Sequence, residues 1–527
     1  MGAAIARRFR LNSRFFGSGQ MTDRIFECDV AIVGAGPVGA TLAALLGQAG
    51  IRVFVGEAND EVYPLPRAAH FDHEIMRVFQ QLDIVEPVLR ATTPADHYVF
   101  QNQHGQALLT FDLRCPADTG WTGYMMHQPG VELAIRARLA ANPLVELMTG
   151  LSYAGFEETG DRIVTSWNAK TGEVIVRSRY LVGCDGAWSP VREGLGITLD
   201  DLIFDEPWLV LDLIVDDDNR LPRHNIQYCD PGRPTTYVVM GDNRRRFEFM
   251  LLPGETAEEM LRPETIDRLL SPWDRHGLRE VERKAVYRFH ALIAQQWRRG
   301  RIFIAGDAAH QMPPFAGQGM CSGIRDAAAL SWRLALALGG ADEERLFKSY
   351  QLEREPHVRM ITRAAIETGR VVCTLDREMA AARDAQMLAD RAAGVPMPDI
   401  SSPNLAVAFG LPATPHAGER FIQPVVGRED AAPQWMDDLL GRGAWLIGEG
   451  PDIAVDPGLP DLRLFDVDSS ALAQFAPALR AWLGNAGARA VLVRGDRYVF
   501  GTGTPAELVA AYAEQAGLRA RLEVATA

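Results

Sequence analysis

Arg301-Ile-Phe-Ile-Ala-Gly-Asp-Ala-Ala-His310, running on as Gln311-Met-Pro-Pro-Phe-Ala-Gly-Gln-Gly-Met320, reads as a buried strand from Ile302 to Ala305 that ends in Gly306-Asp307. A tight Pro/Gly turn follows, and a long helix is expected to begin near Gly319. Such a segment sets one carboxylate and one helix N-terminus beside the same space. The carboxylate of Asp307 can accept hydrogen bonds from sugar-type hydroxyls. The helix N-terminus offers unpaired N–H groups and a partial positive charge. A ligand with a hydroxylated chain at one end and an electron-rich ring at the other would satisfy both. Alone, the segment is equally an ordinary strand–turn–helix connection, so its meaning depends on its surroundings.

Nearer the N-terminus, Asp29 to Val33 is a short apolar strand followed by Gly34-Ala-Gly36-Pro37-Val38-Gly39 and an Ala/Leu-rich helix to about Ala49. A second strand, Arg52 to Val55, leads to Glu57, 18 residues after Gly39. The order strand, Gly-x-Gly-x-x-Gly, helix, strand, acid is that of a dinucleotide site. The glycines permit a tight turn and close approach to a pyrophosphate, the helix N-terminus faces the phosphates, and the acid suits a ribose hydroxyl pair. Pro37 fits the first helical turn, where a missing N–H costs nothing. A third stretch, Tyr180 to Arg192, runs an apolar strand into Asp185-Gly186 with Ser189 and Arg192 close behind. Strand ends with Asp-Gly are common in turns, but beside the other two stretches this one becomes specific. Arg67, in a Pro-rich loop, is either a solvated charge or a group facing the ligand. Gln128, at a helix start, is either a cap-region amide or a ligand contact. A flavin dinucleotide meets all these requirements.

The 527 residues are too many for one domain of common size, and about three are expected. A net charge of −14 argues against nucleic acid as a partner. Six cysteines at scattered positions form no CxxC pair, which suits free thiols in a reducing cytosol. No metal is expected. No apolar run approaches the ~20 residues of a membrane span, and the longest, Leu330 to Leu338, is interrupted by Arg333. The first twenty residues carry four arginines and no acid. They resemble a transit peptide in composition, but Met21 offers a second start, so a disordered N-terminal extension over 1–21 is expected.

The α/β pattern of residues 22–200 is interrupted at about 85–125 by a part of the substrate domain, with strands and loops expected over 97–125. Residues 201–294 change character: apolar or alternating runs at Phe204 to Val215, Thr236 to Met240, Arg246 to Leu252 and Arg283 to Phe289 predict an inserted antiparallel sheet that covers the ligand and holds a substrate. Residues 295–400 return to the first domain and then turn helical. A Pro-rich linker precedes a separate α/β domain, 401–527. The apolar face of 505–516 could serve a homodimer or dock on the first domain.

Together the three motif stretches resemble the flavoprotein aromatic hydroxylases, the para-hydroxybenzoate hydroxylase-like single-component monooxygenases. The resemblance covers about 22–400. Gly34-x-Gly36-x-x-Gly39, with Pro37 and Val38 inside it, is similar to their ADP-binding motif. Cys184-Asp185-Gly186-x-x-Ser189-x-x-Arg192 is similar to their Asp-Gly motif for FAD and the nicotinamide donor, and Gly306-Asp307-Ala-Ala-His310 to their ribityl-side motif. Within the family the chain is most similar to 3-(3-hydroxyphenyl)propionate hydroxylases. The carrying runs are Tyr228-Cys-Asp-Pro-Gly-Arg-Pro234, Arg246-Phe-Glu-Phe-Met250 and Gly317-Gln-Gly-Met-Cys-Ser-Gly-Ile-Arg-Asp326. Its tail resembles the thioredoxin-like end domain of phenol-hydroxylase relatives, without CxxC.

The resemblance implies a Rossmann-like FAD-binding α/β domain with an inserted, mostly antiparallel substrate domain, a helical segment and a thioredoxin-like C-terminal domain. It implies a cytoplasmic enzyme using FAD, NADH or NADPH, and O2, which hydroxylates a small phenolic acid ortho to its hydroxyl through a flavin C4a-hydroperoxide. Another phenol, a resorcinol, a polyketide or an antibiotic is the alternative substrate, and a non-oxygenating oxidase or reductase the alternative activity. FAD would contact Gly34, Gly36, Pro37, Val38, Gly39, Glu57, Arg67, Gln128, Asp185, Gly186, Arg192, Gly306 and Asp307, with Pro314, Gly317, Gly319 and Met320 at its ring. His310 is expected to order the turn rather than take protons. For the base, His290, Tyr228 and Tyr237 are candidates, each read first as structural and second as catalytic. Arg233, or one of Arg244, Arg245 and Arg246, would hold a substrate carboxylate.

Overall fold

The computed structural model describes residues 24–114, 118–170, 172–241, 243–395, 403–428, 431–450, 458–459 and 461–518. The expected N-terminal extension lies outside them.

Three motif strands lie side by side. In a six-stranded sheet the order is Arg298–Arg299, Ile302–Ile304, Tyr180–Gly183, Val30–Val33, Val53–Gly56 and Val145–Met148, parallel throughout except for the first strand. Every residue of Ile302–Ile304, Tyr180–Gly183 and Val30–Val33 is buried, as befits parallel strands covered on both faces. Because these strands are adjacent and parallel, the turns after Val33, Gly183 and Ile304 form one row at their carboxyl ends, where open α/β sheets bind ligands. Helices Pro37–Gln48 and Gly319–Leu338 pack against each other over the sheet.

A second sheet of four strands, Arg24–Glu27, Gly172–Ser178, Arg162–Ala169 and Ser152–Thr159, flanks the first. A third sheet makes the cavity wall. Its eight strands run in the order His310–Gln311, Leu278–Ala294, Leu199–Val215, Arg244–Met250, Thr235–Val239, Asn225–Tyr228, His97–Gln101 and Ala107–Asp112, with one parallel pair, Asn225–Tyr228 beside His97–Gln101. One face of this sheet packs Leu209, Leu211, Tyr237, Phe247 and Phe249 into its own core. The other looks toward the row of turns.

Three helices follow: Gly319–Leu338, Glu343–Val372 and Arg377–Ala392. The C-terminal part is a mixed four-stranded sheet in the order Leu462–Asp466, Ala444–Gly448, Ala490–Val493 and Val499–Gly503, with a parallel first pair and two antiparallel pairs. Its thioredoxin likeness remains a resemblance of sequence. The final helix, Pro505–Ala516, begins with a Thr504/Glu507 capping box. It buries Leu508, Val509, Tyr512 and Ala513 in the core that also holds the flanking helices, so its apolar face is covered within the chain.

Buried ion pairs join the C-terminal part to the rest. Arg494 meets Glu353 at 2.8 Å, Arg77 meets Asp437 at 2.8 Å, and the Tyr498 hydroxyl donates to Glu74 at 2.5 Å. Among the described residues no helix is long and apolar enough to cross a membrane.

Candidate functional site

At the phosphate end each glycine has a different task. Gly34 sits at φ +95°, and a Cβ there would come within 2.5 Å of the Cys184 carbonyl oxygen. At Gly39 a Cβ would fall 2.0 Å from the Gly34 carbonyl oxygen, so this glycine lets the helix press onto the turn. At Gly36 the nearest atom is Glu132 Oε1, 3.9 Å away, which leaves the space beside it open. Helix Pro37–Gln48 has no side-chain cap and no acid in its first turn. Its N-terminal N–H groups and positive end are therefore available to an anion. Glu57 braces this turn: Oε2 accepts the Ala35 amide at 2.8 Å and Oε1 the Asn59 amide at 2.9 Å.

At the other end, Gly306 adopts φ +63° and opens a short 3-10 turn, Gly306–Ala308. The Asp307 side chain is exposed and borders the cavity, and desolvation by the surrounding protein pushes its pKa up while His310 and Arg67 pull it down. His310 does not face the cavity. Its Nε2 lies 2.6 Å from Asp326, whose carboxylate also takes the Gly306 amide at 3.1 Å and Arg354 Nε at 2.9 Å. This buried network fixes the turn to helix Gly319–Leu338, in keeping with an ordering role. That helix also starts without an acid in its first turn, and Gly317, Gly319 and Met320 border the cavity. Arg325 holds the preceding residue, donating to Gln318 Oε1 at 3.0 Å while paired with Asp72 and Glu74.

Gln128 and Arg67 lie together. The Gln128 carbonyl oxygen accepts the amides of Arg67 at 2.9 Å and Ala68 at 2.6 Å, so it shapes the loop while both residues line the cavity. Asp185 accepts the Val191 amide at 3.0 Å, and burial pushes its pKa up. Arg192 departs from its expected role. Its guanidinium donates to the carbonyls of Ala308 at 3.0 Å and Ala187 at 2.8 Å. It thus ties the Asp-Gly turn to the Gly306–Ala308 turn and is not among the cavity-lining residues.

The cavity between these turns and the eight-stranded sheet measures about 1050 Å³. On the sheet side it is lined by Tyr98, Asn225, Thr236, Glu248, Tyr287 and Phe289, with Pro314 and Phe315 opposite. Strand alternation assigns the faces. Arg246 and Glu248 look into the cavity, while Phe247 and Phe249 look into the sheet's core.

Several expectations fail on this alternation. Tyr237 is fully buried on the core face, stacked on Trp273, with its hydroxyl given to Pro222 O at 2.8 Å. Tyr228 packs edge-on against the same Trp273. Neither reaches the cavity. Arg233 is paired with Glu255 at 2.6 Å, away from it. His290 does border the cavity, but at its rim: its side chain is 40% exposed and lies 3.8 Å from Asp205. Of the three consecutive arginines, Arg244 pairs with Glu282 and Arg245 donates to the Arg244 carbonyl, while only Arg246 lies on the cavity side.

Sequence reasoning missed Tyr98, Asn225, Thr236, Glu248, Arg283 and Tyr287. A signal was present on two strands: Arg246 and Glu248 alternate with Phe247 and Phe249, and Asn225 and Gln227 with Ile226 and Tyr228; the other strands carry no such alternation.

The residues suit a flavin dinucleotide: an open cradle at Gly36, two uncapped helix N-termini, and Asp307 set between them. A protein-family model described as an FAD binding domain matches residues 27–365. A probable NADH-specific resorcinol 4-hydroxylase of Rhodococcus jostii (strain RHA1) is 38% identical over 517 residues, 95% of each chain. A 3-(3-hydroxy-phenyl)propionate/3-hydroxycinnamic acid hydroxylase of Mycobacterium sp. (strain JLS) is 37% identical over 436 residues, 79% of this chain and 75% of that one. Among solved structures, the flavin-dependent monooxygenase PieE in complex with FAD and substrate superposes with a TM-score of 0.76 at 20% identity, covering 93% of this chain and 99% of that one. Aklavinone-11 hydroxylase with FAD and aklavinone gives 0.73 at 23% identity and the same coverage. With the motif turns in one row, an FAD binding domain over residues 27–365 and relatives that cover 79–95% of it, the chain belongs to the FAD-binding aromatic hydroxylases.

Proposed function

We propose that this enzyme hydroxylates a small phenol bearing a polar substituent meta to its hydroxyl, inserting oxygen ortho to that hydroxyl with NADH or NADPH as reductant. One observation carries this reading: a single cavity joins the Asp307 and Gly319 end to a patch of Tyr98, Asn225, Thr236, Glu248 and Tyr287. The substrates named for the two relatives, resorcinol and 3-(3-hydroxyphenyl)propionate, share that meta-substituted phenol ring.

The flavin, when bound, supplies the redox chemistry, accepting hydride from the nicotinamide and delivering one oxygen atom of O2 to the ring. The chain does the rest. Gly36, the N-terminus at Pro37 and Val38, and Arg67 hold the phosphates, and Asp307 accepts hydrogen bonds from the hydroxylated chain. The helix end at Gly319 and Met320 holds negative charge at the ring's polar edge. Phe289, Pro314 and Phe315 keep water from the reacting face. Tyr287 receives a hydrogen bond from Arg283, which leaves its own O–H free to donate to the substrate's phenolic oxygen and so orient the ring. The free thiols at Cys28, Cys184, Cys229, Cys321 and Cys373 support a reducing, cytoplasmic setting.

The test is aerobic oxidation of NADH and NADPH by the FAD-loaded protein with resorcinol and with 3-(3-hydroxyphenyl)propionate, with mass spectrometry of the products. Stimulated turnover with gain of one oxygen is expected. Stimulation that yields only hydrogen peroxide from every meta-substituted phenol would overturn the substrate assignment.

A further inference from the structure

Glu248 is 6% exposed and lies on strand Arg244–Met250, facing the cavity. Across the sheet it sits opposite Thr236 on one side and Val210 on the other. Among the described residues no protein hydrogen bond reaches its carboxyl. Arg246, its nearest cation, stands off at 4.0 Å and gives its own N–H groups to Asp212, Pro66 and Arg67. Thr236 and Tyr98, the neighbouring hydroxyls, both donate to Gln227 instead, each at 2.9 Å. A buried carboxyl without a partner is costly, and such groups are kept where a ligand completes them. Burial also pushes the Glu248 pKa up, with Arg246 and Arg283 acting against that and Asp212 with it.

The other charges of the patch are already satisfied. Arg246 and Arg283 share Asp212 and both donate to the Pro66 carbonyl. At this patch, among the described residues, neither Arg246 nor Arg283 has an open guanidinium fork for a substrate carboxylate, and an anionic side chain on the ring would approach an acid. A hydroxyl is the matching group, since it donates to a carboxylate and accepts from a carboxylic acid. We infer that Glu248 is the specificity-determining residue of the substrate end, bonding a second ring hydroxyl, so that a meta-diphenol is preferred over a phenol carrying a carboxylate chain. This rests on the meta-substituted phenol reading above.

The experiment is titration of the FAD-loaded full chain with resorcinol, phenol and 3-(3-hydroxyphenyl)propionate, read by perturbation of flavin absorbance, in wild type, Glu248→Gln and Glu248→Leu. Wild type is expected to bind resorcinol about 10- to 100-fold more tightly than phenol, the cost of leaving a buried polar group unpaired. Glu248→Leu should bring that ratio within about threefold, and Glu248→Gln, which keeps shape and hydrogen-bonding capacity, should retain part of it. The phenylpropionate should bind more weakly than resorcinol to wild type and gain when the acid is removed. A resorcinol-to-phenol ratio unchanged in Glu248→Leu, or tighter wild-type binding of the phenylpropionate, overturns the inference. Mass spectrometry after NADH and NADPH are added aerobically to the same mixtures separates the two claims. A lost ratio without oxygenated product removes the hydroxylation reading alone, and product with an unchanged ratio removes the Glu248 assignment alone.

Discussion

Arg246 grips Asp212 with two parallel hydrogen bonds, Nε to Oδ1 at 2.7 Å and Nη2 to Oδ2 at 3.1 Å, and Arg283 approaches the same carboxylate at 3.3 Å. All three side chains are cut off from solvent. One carboxylate thus balances two buried guanidiniums, which in turn hold the loop at Pro66 and Arg67 against the sheet. Removing the carboxylate strands two charges, and breaking a buried pair in this way costs about 3–5 kcal/mol. Asp212→Ala should lower the apparent unfolding free energy in urea by that amount and loosen FAD by releasing the loop. Unfolding indistinguishable from wild type would show that the pair is not what anchors it.

Much of this arrangement was legible in the sequence, and what was not has a physical reason. The motif turns could be read because each combines a buried strand with residues that only a special backbone tolerates, as Gly34 and Gly306 do at positive φ. Asp307 follows from its place after the strand. The substrate face was harder. Which of Tyr237 and Thr236 meets the cavity depends on strand phase, and a slip of one residue exchanges the faces. The long pair Leu199–Val215 and Leu278–Ala294 contains register shifts between Asp201 and Asp205, and again after Asp212 and Ile214. Such bulges are set by tertiary packing, so His290 could not be placed at the rim beforehand. Arg192 misled for another reason: a motif shows that a residue is needed, not that it touches the ligand. The Arg494–Glu353 pair joins residues 141 positions apart, beyond the reach of local pattern.

Gly36 and Gly39 separate cofactor binding from packing. Alanine at Gly39 would collide with backbone at 2.0 Å, whereas alanine at Gly36 meets only open space beside the helix N-terminus. Gly39→Ala should be insoluble. Gly36→Ala should fold, with its FAD dissociation constant raised by about tenfold or more because the methyl occupies the approach to the phosphates. FAD fluorescence quenching measures the second effect. A soluble Gly39→Ala with normal FAD content would contradict the packing argument.

Asp307 should contribute to affinity more than to folding. It is exposed to the cavity, and burial in the surrounding protein has raised its pKa. Hydrogen bonds to a charged group are worth about 1.5–3 kcal/mol, so Asp307→Ala should weaken FAD binding by about 10- to 150-fold. The free protein should melt no earlier than wild type, because among the described residues the exposed carboxylate receives no protein hydrogen bond that alanine would forfeit. Full FAD occupancy at wild-type affinity would exclude the contact.

Glu132 should make stability pH-dependent. It is buried beside Gly36, and burial pushes its pKa from 4.5 to about 7, while Arg136 and Arg67 pull it down and Glu57 adds to the rise. A raised carboxyl pKa means the native state holds a proton that the unfolded chain releases. The protein therefore loses stability as pH rises from about 4.5 to about 7, by about 3 kcal/mol from this group. Glu132→Gln should remove that slope and be the more stable protein at neutral pH, as urea unfolding across the range would register. Parallel pH profiles for variant and wild type would refute the assignment.

Tyr287 and His290 lie three residues apart on strand Leu278–Ala294, and their surroundings predict opposite outcomes. Tyr287 lines the cavity with the Arg283 guanidinium stacked 4.9 Å from its ring and donating to its hydroxyl. His290 faces Asp205 at the solvent rim. A hydrogen bond that holds the substrate oxygen aligns the ring for oxygen transfer and so acts on kcat, and Tyr287→Phe should lower kcat by about 10- to 100-fold. It should leave FAD content intact and shift more of the reductant consumed toward hydrogen peroxide. His290→Ala removes an exposed, solvent-screened contact and should change kcat less than about threefold. If instead the histidine variant is the inactive one, the proton-handling group enters from the rim, and the role given to Tyr287 is wrong.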